Sequence, residues 1–525
     1  MDNKFYLRFF YNLLFSQDTK KNRRMIIVWI LLLLVIIPIP AIFGTSSITQ
    51  SALAQTELPS TELDEEKIQS LKSDQEQLLL PMQKGFSMSI LETNLSSPYN
   101  ILYGPDNVLW ITERVDKEIT RIDPNTGAEL SVMHVPNVQQ SGGQDGLMSM
   151  VYDPDFNNTH YIYVAYTYDD NADEDLDLRT KITRFTYNPN DRTIGEPFDL
   201  IKGLSGSVDH NSGRMAFGPD GKLYYTIGDQ GKNQFGLYCM DIEAQDLPTQ
   251  EQILAKDWDT YEGKVLRMNP DGSIPGDNPV INEVRSHIFT YGHRNAQGIA
   301  VGPNGDHLYI SEHNDKSDDE VNRLQAGGNY GWPYVSGHKD GQAYQYLNWS
   351  AAHNCEDLTF NNVSPPPPSV PVMNESEFEA RNFVPPIATF YTVENEHNFT
   401  KPICGGIDFI CWPTVAPSSL RLYESDVIPG WENTFLMPTL KAGRIFHLTL
   451  NEDGTALAKE PMELFRSEDR YRDIAFGPEG KTVYVITDPR GLVQAINGGG
   501  VSHDLWNPGS LLVFKYVGDG LNKKQ

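Results

Sequence analysis

The chain has 525 residues, with 42 Lys and Arg against 70 Asp and Glu, a net charge of −28. A phosphate backbone requires a basic face, so this balance excludes nucleic-acid binding. Aromatics make up 11% of the chain, alongside 42 Gly and 34 Pro, a mixture that favours short strands and many turns over helices.

Lys20, Lys21, Arg23 and Arg24 precede an uncharged apolar run over residues 25–44, long enough to span a bilayer as a helix. Ala52-Leu53-Ala54 then supplies a small-x-small cleavage pattern. Residues 1–54 are therefore read as an export signal cut after Ala54 or, uncleaved, as a membrane anchor. Either way the basic flank keeps the N-terminus cytoplasmic and places the remainder outside, secreted or tethered to the outer face of the membrane. Residues 55–85 are rich in Glu, Gln, Ser and Leu and lack turn chemistry; they are expected to form a tether.

From residue 86 to about 520 one hairpin pattern recurs. Tyr103-Gly104-Pro105-Asp106, Phe217-Gly218-Pro219-Asp220, Val301-Gly302-Pro303-Asn304 and Phe476-Gly477-Pro478-Glu479 each separate two apolar, β-rich runs. Tyr152-Asp153-Pro154 is a degenerate copy. Repeated strand pairs with no helical period to cover a parallel sheet predict an all-β fold built by radial repetition, a β-propeller. The copies are unevenly spaced, so long inter-strand loops are expected, among them 235–260 and 338–402, where a site on one face is elaborated. Cys404 and Cys411 enclose a short Gly-Gly loop and are expected to pair, which leaves Cys239 and Cys355 either paired or free. Six Asn-x-Ser/Thr sequons (Asn94, Asn157, Asn348, Asn362, Asn374, Asn398) agree with surface loops.

The hairpin at 212–227 carries ionisable groups at both ends, Asp209-His210 before it and Asp229 after it. If the two ends meet on one face, Asp229 orients His210 as a general base. The plainer reading is that Asp229 opens a tight Asp-Gln-Gly turn while His210 caps a strand.

Longer strings add a family resemblance. Gly143-Gln144-Asp145-Gly146-Leu147, Asp209-His210-Asn211-Ser212-Gly213-Arg214, Ile227-Gly228-Asp229-Gln230-Gly231, Gly263-Lys264-Val265-Leu266-Arg267, Gly292-His293-Arg294-Asn295, Gly328-Asn329-Tyr330-Gly331-Trp332-Pro333, Cys411-Trp412-Pro413-Thr414-Val415-Ala416 and Arg470-Tyr471-Arg472-Asp473 occur in this order. Together they resemble the soluble quinoprotein dehydrogenases of the glucose/sorbosone dehydrogenase family, over about residues 90–517. The resemblance implies a six-bladed propeller holding pyrroloquinoline quinone (PQQ) and Ca2+ on one face, and oxidation of an aldose at C1 to a lactone by hydride transfer to the quinone. His210 is implied as general base, Asp229 as the group that orients it, and Arg294 as the cation beside the quinone oxygen. The implied cofactor pocket comprises Gln144, Asp209, Arg294, Asn295, His313, Thr414, Ala416, Lys441, Arg470 and Arg472. The cations suit a ligand bearing three carboxylates. Without the resemblance, Arg470 and Arg472 read as a solvated strand face.

On the sugar side the resemblance implies Gln144, Asp209, Gln234, Phe409 and Trp412, with Phe409 standing where the family often carries tyrosine. The calcium on the quinone is implied at Asn314 and Asp315, where His313-Asn314-Asp315 departs from the family's Gln-Gly-Pro, although backbone carbonyls remain available as ligands. A second calcium site, which stabilises an interface in a homodimer, is implied at Glu320, Tyr330, Ser336, His338, Asp340 and Glu375. An external electron acceptor is required. The competing readings are a non-catalytic carbohydrate-binding or surface-interaction propeller and a calcium-dependent lactone hydrolase. A binder has no need of a general base and four cations, and no central carboxylate–calcium cluster for a hydrolase is identifiable.

Overall fold

The computed structural model describes residues 83–518 except 172–174, 362–364 and 499. The expected signal or anchor and nearly all of the expected tether lie outside these residues. Among the described residues no helix is long and apolar enough to cross a membrane.

Each Gly-Pro turn folds as the pattern predicts. Pro98–Tyr103 pairs with Leu109–Glu113, Ser212–Phe217 with Leu223–Ile227, Ala296–Val301 with Leu308–Glu312, and Tyr471–Phe476 with Thr482–Thr487, all antiparallel. The degenerate copy does the same with Leu147–Tyr152 and Tyr161–Asp169. Two further strands extend each pair into a four-stranded sheet, and a sixth sheet is built on Arg421–Tyr423 and Thr434–Pro438. The result is a six-bladed β-propeller. The first strands of the six hairpins are the inner strands, each packing against the next around a closed ring. The last blade is completed by the chain's first described strand, Phe86–Glu92, paired with Leu511–Tyr516, so both ends of the propeller are fixed in one sheet.

Successive side chains of a strand point to opposite faces, so each blade supplies apolar side chains to two neighbours. In the strand Leu109–Glu113, Leu109 and Ile111 pack against the last blade while Trp110 packs against the second. Six apolar clusters fill the six blade interfaces in this way. Both faces are covered, which is why the strands read as nearly continuous apolar runs.

The hub is polar. Asp473 is fully buried on the inner strand of the last blade. It accepts from Asn100 Nδ2 at 2.7 Å and the Ile101 N–H at 3.0 Å on the first blade. It also accepts from Arg214 Nη1 at 2.9 Å on the third blade, and from Arg421 Nη2 at 2.7 Å and the Ser419 hydroxyl leading into the fifth. Arg214 also donates to the carbonyls of Gln297 on the fourth blade and Ser418 before the fifth. Burial alone would raise the Asp473 carboxyl, but the Arg214 and Arg421 guanidiniums hold it far below the usual carboxylate range. Asp473→Ala leaves two guanidiniums facing each other in the hub. It is expected to destabilise the propeller by about 3–5 kcal/mol, the cost of breaking a buried pair. A denaturant midpoint equal to that of the parent protein would contradict this.

Candidate active site

In an antiparallel hairpin the start of the first strand and the end of the second lie at the same end. The Gly-Pro turns therefore occupy one face of the propeller, and whatever flanks the hairpins gathers on the other. Gln144 precedes the second blade, Asp209 and His210 precede the third, and Asp229 follows its second strand. Arg294 and Asn295 precede the fourth blade, and His313, Asn314 and Asp315 follow its hairpin. Thr414 and Ala416 precede the fifth, Lys441 follows its hairpin, and Arg470 and Arg472 open the sixth. One geometric rule gathers residues scattered over more than 300 positions.

His210 and Asp229 meet as expected. His210 Nδ1 lies 2.8 Å from Asp229 Oδ1, and both side chains are buried. Gly228 makes the approach feasible, since a Cβ there would collide with the His210 carbonyl. A carboxylate accepts only, so Nδ1 carries a proton, and in the neutral ring Nε2 is then the acceptor. Gln234 Nε2 lies 3.3 Å from His210 Nε2, and Gln234 Oε1 accepts from Arg294 Nη2 at 2.9 Å. The amide thus links the base to the cation. Burial pushes the Asp229 carboxyl up, but His210, Arg294 and the Gly231 N–H outweigh it and leave it below its ordinary value. Gln144 Nε2 donates to Asp209 Oδ1, so these two polar groups also join, beside His210.

The same face carries further cations, Lys441 and Arg472 buried and Arg470 half-buried. Lys441 Nζ donates to the carbonyls of Phe409 and Trp412 at 3.2 and 3.1 Å and to the Thr414 hydroxyl. Burial pushes it down to about 7 against the pull of Asp319. Arg472 is held in two-pronged fashion by Asp488 at 3.0 and 2.6 Å. Arg470 donates to the Leu492 carbonyl at 2.5 Å, and burial lowers it to about 10. Neither arginine lies on a solvated strand face. The Nε atoms of Arg294 and Arg470 are buried without a hydrogen-bond partner. Cations sharing few carboxylates, with donors left over, fit a planar ligand bearing several carboxylates.

Asn295 is buried, its Oδ1 accepting from Ser212 and Gln297. Ala416 has its N–H committed to Asp319 Oδ2 at 2.7 Å, which leaves it no free backbone donor. His313 Nδ1 lies 2.7 Å from Asp319 Oδ1, and the His313 carbonyl accepts from Arg294 Nη1 at 3.0 Å. Trp412 is only 6% exposed, its N–H donating to the Phe399 carbonyl, and it offers a sugar little more than an edge. Phe409, 44% exposed, is the open apolar surface there.

The Asn314 side chain turns inward to the Asp318 carbonyl and Glu320, leaving its own carbonyl as the available ligand. Asp315 Oδ1 lies 3.9 Å from Arg294 Nη2. Of the second set, Glu320 and Glu375 both hold the 336–341 loop, through Gly337 and through Ser336 and Gly341. The Tyr330 hydroxyl is engaged by the Arg323 carbonyl, and His338 and Asp340 are exposed. Among the described residues no three His, Cys, Asp or Glu side chains converge as a metal site. Asp318 Oδ2 and Ser317 Oγ are nonetheless buried without a partner beside this second set. Asp319, Asp488 and Trp332 are organising residues that sequence reasoning missed. Asp488 and Asp319 adjoin segments singled out in the sequence, yet nothing in their type or spacing marks them.

The family model for glucose/sorbosone dehydrogenases matches residues 95–378 and 392–494. The chain is 47% identical over 440 residues to quinoprotein glucose dehydrogenase B of Acinetobacter calcoaceticus, covering 82% of this chain and 91% of that protein. It is 26% identical over 416 residues to the aldose sugar dehydrogenase YliI of Escherichia coli, covering 77% and 90%. The fold is similar to that of a PQQ-bound aldose sugar dehydrogenase from Streptomyces coelicolor, with a TM-score of 0.54 and 24% identity over 83% of this chain and 99% of that one.

The buried Lys441 has a measurable consequence. A lysine whose folded pKa lies below its unfolded value costs stability fully at pH values below about 7, and the cost fades as pH approaches the unfolded value near 10.4. The unliganded parent should therefore gain on Lys441→Met as pH rises through that window, by up to about 1.4 kcal/mol per pH unit. Thermal melts of both proteins from pH 6 to 10 measure it; parallel curves would show that Lys441 titrates normally.

Proposed function

The chain belongs to the glucose/sorbosone dehydrogenase family, and from that membership we propose that it is a quinoprotein aldose dehydrogenase using PQQ and Ca2+. The observation that carries the reading is the His210–Asp229 pair, 2.8 Å apart, joined through Gln234 to the buried cation Arg294. A binding module does not need a histidine held in one tautomer beside a fixed positive charge.

Lys441, Arg470 and Arg472 would hold the cofactor's carboxylates, with Arg294, Asn295, His313, Thr414 and Ala416 around its ring system. When bound, the quinone supplies the acceptor for the hydride that leaves the sugar's C1. The protein does the rest. Gln144, Asp209 and Gln234 orient the sugar hydroxyls, and Phe409, with the edge of Trp412, covers its apolar side. His210 Nε2 takes the proton of the C1 hydroxyl, while Asp229 holds the ring and offsets the charge that forms on it. Arg294 stabilises negative charge developing across from the base. The Asn314 carbonyl and Asp315 would hold Ca2+, which would supply Lewis-acid chemistry there. The set of Glu320, Tyr330, Ser336, His338, Asp340 and Glu375 would hold a second Ca2+ in a homodimer, a reading supported by the buried Asp318 Oδ2 and Ser317 Oγ beside it.

The propeller of 86–520 acts outside the cytoplasm, behind a signal or anchor at 1–54 and a tether at 55–85, and passes electrons to an external acceptor. Two disulfides, Cys239–Cys355 and Cys404–Cys411, support an oxidising compartment. In protein reconstituted with PQQ and Ca2+, His210→Ala should keep cofactor binding and lower aldose turnover at least about 100-fold, the scale of a lost general base. Undiminished turnover with the quinone bound would remove His210 from the mechanism.

A further inference from the structure

The carboxylate of Asp229 has a second anchor that the mechanism does not yet use. Its Oδ1 meets His210 Nδ1, and its Oδ2 accepts from the indole N–H of Trp332 at 2.9 Å. Trp332 is buried, and the Arg294 guanidinium carbon lies 5.2 Å from the centre of its ring. One side chain therefore touches both the group that orients the base and the cation across from it. The ring is fixed at its root. The Trp332 N–H donates to the Gly292 carbonyl at 3.0 Å, two residues before Arg294, and the Trp332 carbonyl accepts from Gln245 Nε2 at 2.7 Å. Tyr344 also packs against the ring, with centroids 6.0 Å apart.

We propose that Trp332 is a positioning residue for this reaction, locking the Asp229 carboxylate so that one oxygen always faces His210 while its ring sets the place of Arg294. The physical case is that a buried carboxylate oxygen needs a donor. Without the indole N–H, Oδ2 loses its partner and the carboxylate is held through Oδ1 alone, by His210 and the Gly231 N–H, with more freedom about a terminal torsion that is broad and nearly two-fold. The imidazole then loses the fixed acceptor that sets its tautomer. The ring also gives the guanidinium a flat electron-rich face, which holds it without neutralising it. Trp332 touches neither of the groups that exchange the proton. It acts through Asp229 and Arg294.

The kinetic part of this inference rests on the aldose dehydrogenase reading; the structural part does not, so the test has two arms. Trp332→Phe keeps an aromatic ring near Arg294 and removes the N–H. In cofactor-free protein, 15N NMR of the eight tryptophan indoles identifies the Trp332 signal as the one lost in Trp332→Phe. Asp229→Asn is expected to shift that signal and speed its exchange with solvent. In quinone-loaded protein, Trp332→Phe is expected to lower kcat about tenfold, the scale of one hydrogen bond to a charged group, with the sugar KM changed less than about twofold. In an Asp229→Asn background the same substitution should cost less than about twofold, because its route of action is gone. The cofactor-induced rise in melting temperature should be unchanged by Trp332→Phe. An indole signal indifferent to Asp229→Asn, or an equal loss of kcat in both backgrounds, overturns the proposal. So does a loss of the cofactor-induced melting shift, which would mark Trp332 as a packing residue. If the parent oxidises no aldose while the indole signal still answers to Asp229→Asn, the dehydrogenase reading falls and, with it, the catalytic meaning of the lock.

Discussion

The propeller depends on how its polar hub is satisfied. Asp473 collects two guanidiniums, an amide, a hydroxyl and a backbone N–H from three other blades, Arg214 carries the connection to the fourth through Gln297, and Asn100 carries it to the second by accepting from the Met150 N–H. A charge this deeply buried is tolerable only when every lone pair has a donor. The requirement fixes the inner strands relative to one another, and the site residues sit at the ends of those same strands. The register of the hub is thus the register of the site.

The site applies the opposite rule to the same chemistry. In the hub the charges are matched. On the same face, Arg470 and Arg472 share Asp488, Lys441 is drawn toward Asp319, and the Nε atoms of Arg294 and Arg470 have no hydrogen-bond partner. Concentrating unmatched cations in a chain of net charge −28 costs folding stability and creates a receptor for a multiply charged anion. On the other wall, Asp229 with its His210, Gly231 and Trp332 contacts is as fully satisfied as Asp473. The base is held rigidly, whereas the cationic wall is left incomplete.

Four of the six blades were legible because a Gly-Pro turn leaves a local signature, and a fifth because Asp153-Pro154 keeps part of it. The blade built on Arg421–Tyr423 and Thr434–Pro438 was not, because its ten-residue connection carries no such turn. The meeting of His210 and Asp229 followed from hairpin geometry alone, since both flank one strand pair. The cations needed the family resemblance, because strand-flanking arginines look the same whether they face water or a ligand. Asp488, Asp319 and Trp332 stayed hidden for a different reason. Each acts by holding another functional residue across a gap in sequence, and only the folded chain shows that gap closed. Trp412 reads as a sugar platform but is mostly covered, because its N–H is drawn to the Phe399 carbonyl. The meaning of residues 1–54 rests on the sequence alone.

The central claim is that this polar face couples a held base to a carboxylate-binding cleft for redox chemistry on an aldose. Absorption spectroscopy of the protein loaded with PQQ and Ca2+, mixed with an aldose without any external acceptor, tests it most directly. The account predicts loss of the oxidised quinone's absorption in a single turnover, with one lactone formed per bound quinone. Quinone that binds tightly and keeps its oxidised spectrum in the presence of every aldose tried would contradict it.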